Sequence, residues 1–175
     1  MSKRWVALFS QTGSEIVAVS QRLRRYPDVC ISNRFDLYGI SKTLVNSMDI
    51  TLCSKTPSVA EYTHLIGDSE DTIVTLNGWL RIVPFGVCSV YEMYNGHPGL
   101  ITKYDLKGKD PQQKAIDMRL ETSGCVIHKV VPEIDSGEIV SSREVSIENL
   151  LREEVFSTLH KTSVDLWVEF LKGKL

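Results

Sequence analysis

Asn95-Gly96-His97 places a carboxamide and an imidazole two residues apart, just ahead of a Pro98-Gly99 turn. In an extended segment side chains two apart share a face, so these two can converge on one atom. Asn offers a neutral N–H donor and His can donate or accept a proton. Together they suit a carbonyl oxygen that becomes negative during reaction. A turn in which both merely satisfy backbone groups is the competing reading. Asp135, in Pro132-Glu-Ile-Asp-Ser-Gly137, also admits two readings. It is either an Asx-type turn residue or a carboxylate that orients His97 or holds a water beside it, as carboxylates do in triads. The third candidate is Phe9-Ser-Gln-Thr-Gly-Ser-Glu15, which leaves a first strand and enters a helix. Backbone N–H groups and the dipole favour an anion there, and Gly13 permits a close approach. The segment lacks the glycines of a dinucleotide fingerprint and the Gly-Lys-Ser/Thr end of a P-loop. An ordinary β-to-α turn capped by Ser14 competes with a phosphate or carboxylate site.

The elements that must position these residues follow from hydrophobic period and turn chemistry. Trp5–Phe9, Val29–Ile31, Ile50–Cys53 and Thr72–Leu76 read as strands. Between them lie helical patterns from Ile16 to Arg25, Asp36 to Met48 and Pro57 to Ile66. This alternation is the signature of a parallel sheet with crossover helices. The second half differs. Val90–Asn95 is a weak strand delivering the Asn-Gly-His segment, Gly99–Pro111 a loop and Gln112–Glu121 a helix. Cys125–Val131 and Gly137–Val145 form a hairpin-like pair, which predicts a mixed sheet. Ile147–Leu171 reads as a long amphipathic helix with a break near Thr162. The expected architecture is α/β, one domain over residues 1–175.

Composition excludes several classes. Lys/Arg and Asp/Glu nearly balance at a net charge of −2, which does not point to broad binding of nucleic acid or membrane. No apolar run is long enough to span a bilayer. Val6–Phe9 is too short for a secretory signal, so a cytoplasmic location is expected. Cys30, Cys53, Cys88 and Cys125 are scattered and read as reduced, buried small hydrophobes. His128 reads as a packed, hydrogen-bonded ring, and His64 and His160 as helix residues facing solvent or an edge. None has a ligand partner at metal-binding spacing, so no metal is expected.

The candidate segments occur in a characteristic order. Leu76-Asn-Gly-Trp-Leu-Arg-Ile-Val83, Asn95-Gly-His-Pro-Gly-Leu100, Lys107-Gly-Lys-Asp-Pro111, Ser123-Gly-Cys-Val-Ile-His128 and Glu133-Ile-Asp-Ser-Gly137 are each short and specific only jointly. In that order the chain resembles the folate-dependent formyltransferase family, which includes glycinamide ribonucleotide transformylase and the methionyl-tRNA and sugar N-formyltransferases. The resemblance implies a Rossmann-like parallel N-terminal half, a mixed sheet in the C-terminal half, and 10-formyltetrahydrofolate as donor. It implies that Asn95 stabilises the oxyanion, that His97 polarises the formyl oxygen and assists proton movement, and that Asp135 orients His97 and handles a relay water. By the same resemblance Trp79, Leu80, Arg81, Ile82, Val83, Val131, Glu133 and Ile134 bind the folate. Thr12, Gly13, Ser14, Glu15, Pro98 and Gly99 bind the acceptor.

The departures concern mainly the acceptor. Gly96 and Gly99 stand where the family has bulkier residues, which predicts a loosened loop. Asn77 replaces a small residue, Glu15 brings a negative charge to the anion-suited turn, and Leu159 aligns with a substrate-binding glutamate. No added C-terminal domain is expected, which would argue against methionyl-tRNA as acceptor. The expected acceptor is a primary amine on a small phosphorylated or nucleotide-linked molecule, glycinamide ribonucleotide-like first and an amino sugar nucleotide second. A 10-formyltetrahydrofolate hydrolase and a folate-binding protein without turnover are the alternatives. The protein is expected as monomer or homodimer.

Overall fold

The structure, a computed structural model, describes residues 2–175. One seven-stranded sheet runs through it in the order β3-β2-β1-β4-β5-β6-β7. The strands are β1 (Arg4–Phe9), β2 (Val29–Ser32), β3 (Ile50–Leu52), β4 (Thr72–Leu76), β5 (Glu92–His97), β6 (Thr122–Lys129) and β7 (Ile139–Ser146). The five strands β1 to β5 are parallel, and β6 and β7 each run antiparallel to their predecessor. The parallel first half and mixed second half match the expected α/β architecture.

Alternate residues of β1 supply two cores. Trp5, Ala7 and Phe9 pack with α1 (Ser14–Leu23) and α6 (Arg152–Lys172). Val6 and Leu8 pack on the other face with α3 (Val59–Ile66) and α4 (Phe85–Cys88). Period-two alternation makes both faces apolar, as a doubly covered strand requires. A polar chain crosses the first core. The Trp5 indole N–H donates to Thr75 Oγ1 at 2.9 Å, and that hydroxyl donates to Asn77 Oδ1 at 2.8 Å. Asn77 Nδ2 then donates to Glu15 Oε1 at 3.0 Å, and Ser163 Oγ to Glu15 Oε2 at 2.8 Å.

Several elements differ from their sequence readings. The helix expected over 36–48 is confined to α2 (Lys42–Ser47). Asp36 Oδ1 captures the Tyr38 N–H at 2.9 Å and Gly39 sits at φ +81°, a local turn that competes with helix. Helix α5 (Pro111–Asp117) stops before Arg119, which adopts φ 54°. Helix α3 starts two residues after Pro57, at Val59, with the Ser58 hydroxyl accepting the Glu61 N–H. Helix α6 is unbroken at Thr162, whose hydroxyl donates to the Thr158 carbonyl within the helix. Gly13, not Ser14, is the N-cap of α1. Only Cys30 and Cys125 are buried, whereas Cys53 and Cys88 are partly exposed, and the short α4 had no sequence signal. Among the described residues no helix is long and apolar enough to cross a membrane.

Candidate active site

Strand β5 continues through His97, so Asn95 and His97 lie within a regular strand and project from one face. Gly96, between them, faces the opposite way onto α6. A Cβ built on Gly96 would stand 2.5 Å from Trp167 Nε1, and one on Gly99 would stand 2.8 Å from Pro111 Cβ and 3.1 Å from His97 Nε2. The expected loosening of this segment is therefore overturned. Both glycines are positions of close packing, where a side chain has no room.

The antiparallel register sets Asn95 of β5 opposite His128 of β6. The turn after β6 then returns Asp135, at φ 48°, over both. His97 Nδ1 lies 3.4 Å from Asp135 Oδ2, and His128 Nε2 lies 3.4 Å from Asp135 Oδ1. Asn95 Nδ2 is 3.1 Å from His128 Nε2 and 3.4 Å from Asp135 Oδ1. The loop before α5 closes the group from above. Gly108 N–H donates to Asp135 Oδ2 at 2.8 Å, and His97 Nε2 meets the Leu106 carbonyl at 2.6 Å. A carbonyl only accepts, so His97 carries its proton on Nε2 and turns a bare Nδ1 toward Asp135.

Burial disfavours the imidazolium of His97 and keeps its pKa below the ordinary histidine value, although Asp135 and the Leu106 carbonyl pull the other way. Burial opposes ionisation of Asp135 too, but the two imidazoles, which favour the carboxylate whenever they carry a proton toward it, and the Gly108 N–H outweigh it. Its pKa falls below the ordinary carboxylate value. The neutral imidazole and ionised carboxylate form a proton-accepting pair at neutral pH.

These groups stand at the floor of a cavity of about 430 Å³, within the usual range for small-molecule sites. Trp79, Leu80, Arg81, Ile82 and Val83 line it from the segment after β4, Val131, Glu133 and Ile134 from the turn after β6, and Pro98 also borders it. Thr12, Gly13, Ser14, Glu15 and Gly99 do not line it, whereas Gln11 does. The start of α1 carries a local hydrogen bond, and its acidic residue points away from it. Thr12 Oγ1 accepts the Ser14 N–H, and Glu15 turns inward to Asn77 and Ser163.

Sequence reasoning left His128, Gln11 and Gly108 out of the site. His128 is 3% exposed and is packed and hydrogen-bonded as expected, but against the site groups. The signal was the motif ending in His128, which shares β6 with residues whose alternation fixes its face. Among the described residues no three His, Cys, Asp or Glu groups gather as metal ligands.

A family model described as formyl transferase matches residues 3–169. The chain belongs to the formyl transferase family. Within 83 residues it is 37% identical to methionyl-tRNA formyltransferase of Thermotoga sp. (strain RQ2), over 45% of this chain and 25% of that protein. The chain thus matches only about a quarter of the length of that relative. Phosphoribosylglycinamide formyltransferase from Anaplasma phagocytophilum superposes with a TM-score of 0.84 at 21% identity, covering 98% of this chain and 86% of that one. A formyltetrahydrofolate deformylase from Pseudomonas syringae pv. tomato gives 0.81 at 20% identity, covering 99% and 62%. At such identities these likenesses establish the shared fold.

Proposed function

We propose that the protein transfers a formyl group from 10-formyltetrahydrofolate to a primary amine, with Asn95, His97 and Asp135 as its catalytic residues. The observation that carries this reading is the convergence of an N–H donor, a neutral imidazole and a carboxylate at the floor of one cavity. The walls from Trp79 to Val83 and from Val131 to Ile134 offer backbone groups and apolar side chains to a flat heterocycle such as the pterin. The amine attacks the formyl carbon, a C–N bond forms, and the carbonyl oxygen becomes an oxyanion. Asn95 donates to that oxygen as charge develops. The proton leaving the amine enters the space between His97 Nδ1 and Asp135 Oδ2. It passes, directly or through a water, to N10 of the folate as the bond from N10 to the formyl carbon breaks. The nucleophile belongs to the acceptor, so the chain supplies donors and a proton acceptor only.

For the acceptor we favour a small phosphorylated amine, glycinamide ribonucleotide-like before an amino sugar nucleotide. The likeness to phosphoribosylglycinamide formyltransferases supports this choice. Glu15 turns inward to Asn77 and Ser163, which takes its negative charge off the start of α1 and leaves Thr12, Gly13 and Ser14 as the groups for the phosphate. The likeness to a deformylase favours a second reading, hydrolysis of the same donor with water in place of the amine.

The test is to supply 10-formyltetrahydrofolate and follow tetrahydrofolate by absorbance, with and without phosphorylated amines. Turnover that requires an amine supports transfer, formate release without one supports hydrolysis, and folate binding without turnover defeats both. Asn95→Ala should lower the rate about a hundred- to a thousandfold, the cost of one oxyanion donor. Near-parental turnover would refute its role.

A further inference from the structure

His128 has one nitrogen committed before any substrate arrives. Its Nδ1 lies 2.8 Å from the Lys129 carbonyl, which can only accept, so Nδ1 carries the proton and, in the neutral ring, Nε2 is bare. The bare Nε2 faces Asn95 at 3.1 Å and Asp135 Oδ1 at 3.4 Å. The ring is 3% exposed, so no bulk water rescues a mismatch at either nitrogen. The Asn95 carboxamide has two ends of nearly equal shape and opposite hydrogen-bonding sense. Turned with Oδ1 inward, it would put three acceptors together: its own oxygen, His128 Nε2 and the Asp135 carboxylate. Turned with Nδ2 inward, it places one N–H on His128. The other points along the long 3.4 Å line to Asp135 Oδ1, where an incoming oxygen can take it.

We propose that His128 is a positioning residue that selects the end of the Asn95 carboxamide offered to the reaction centre. The Lys129 carbonyl sets the tautomer, the tautomer sets the amide, and the amide holds an N–H ready for the oxyanion. His97 is set in the same manner with the opposite tautomer, because the Leu106 carbonyl takes its Nε2–H. The two bare nitrogens face different oxygens of Asp135. One ring therefore serves the proton and the other serves the donor.

The catalytic consequence rests on the formyl-transfer reading, but the tautomer does not. Long-range ¹H–¹⁵N correlation on histidine-labelled protein should show His128 with Nδ1 protonated and Nε2 bare. An Nε2–H tautomer overturns the proposal whether or not the protein turns over. In the active protein, His128→Phe keeps ring bulk and removes the acceptor. It should lower kcat about tenfold, the scale of one net hydrogen bond, with the donor KM changed by less than about twofold. His128→Gln, which restores an acceptor oxygen, should recover most of the loss. Placed on Asn95→Ala, His128→Phe should change kcat by less than about twofold, because the residue through which it acts is gone. A full additive loss there overturns the proposal. If the parent protein binds folate and does not turn over, the transfer reading fails alone and the tautomer decides the positioning. If His128→Phe does not fold, the parent spectrum and His128→Gln decide it.

Discussion

Gly96→Ala is the substitution whose effect the structure specifies most fully. The new methyl would stand 2.5 Å from Trp167 Nε1, 2.9 Å from Cε2 and 3.0 Å from Cζ2. Trp167 is fully buried, so the ring cannot swing into solvent and either β5 or α6 must retreat by roughly 1 Å. Overpacking of this kind costs about 1–3 kcal/mol, which for a chain of this size lowers Tm by about 2–12 °C. The same retreat moves Asn95 and His97, which flank Gly96. A displacement of about 1 Å at reacting groups can cost about a hundredfold in rate. Calorimetry and the tetrahydrofolate assay should therefore report both losses, with folate binding at the cavity walls largely kept. Trp167→Phe removes the colliding atoms and gives up no hydrogen bond, since the indole N–H has no partner. Combined with Gly96→Ala it should be markedly less damaging than the sum of the two single changes. Parental Tm and rate in Gly96→Ala, or strict additivity in the pair, would refute the packing argument.

Other outcomes follow from the same geometry. The depressed pKa of His97 means that the unfolded chain binds that proton first. Stability is then full above the unfolded value of about 6.5 and declines as pH falls through it. Depressed Asp135 adds stability that is present above about pH 3.9 and lost as pH falls through its lower native value. Asp135→Asn should abolish that acid component, read by urea unfolding across pH, and move the His97 titration lower still in an NMR series. Thr75→Val strips the partner from the buried Trp5 indole and from Asn77, and should cost about 1–3 kcal/mol in denaturant unfolding. Burial pushes the thiols of Cys30 and Cys53 up to about 12 and about 11. A thiol reagent near pH 8 should therefore meet roughly a thousandth of Cys53 as thiolate and react slowly, while Cys30 and Cys125 react only after unfolding.

Legibility in the sequence tracked how local the deciding physics is. Trp5–Phe9 of β1 is a continuous apolar run and β4 a largely β-branched one, both bounded by polar turns, and their burial on both faces leaves little room for another reading. Helix α1 showed its period and its basic end. The stretch from Asp36 to Ser41 failed because one carboxylate and one left-handed glycine outcompete a plausible helical pattern. Asn95, His97 and Asp135 were legible as types at meaningful spacing, and their meeting depends on register between distant strands. His128 shows the limit plainly. Its ring looked like core filling because the partner across β5 lies 33 residues away in sequence. The position of Glu15 in the turn suggests that it faces a ligand, but its carboxylate is engaged by Asn77 and Ser163, and no pattern within the first turn of α1 reveals that.

The seat of Gly96 against Trp167 also has a consequence in time. About seventy residues separate the two, so at ordinary synthesis rates roughly 4–14 s pass between the emergence of one and of the other. During that interval β5 has no α6 behind it, and the apolar side of Tyr94, Cys125 and Ile127 is open on a nascent chain. The strand bearing Asn95 and His97 thus acquires its backing only when α6 arrives.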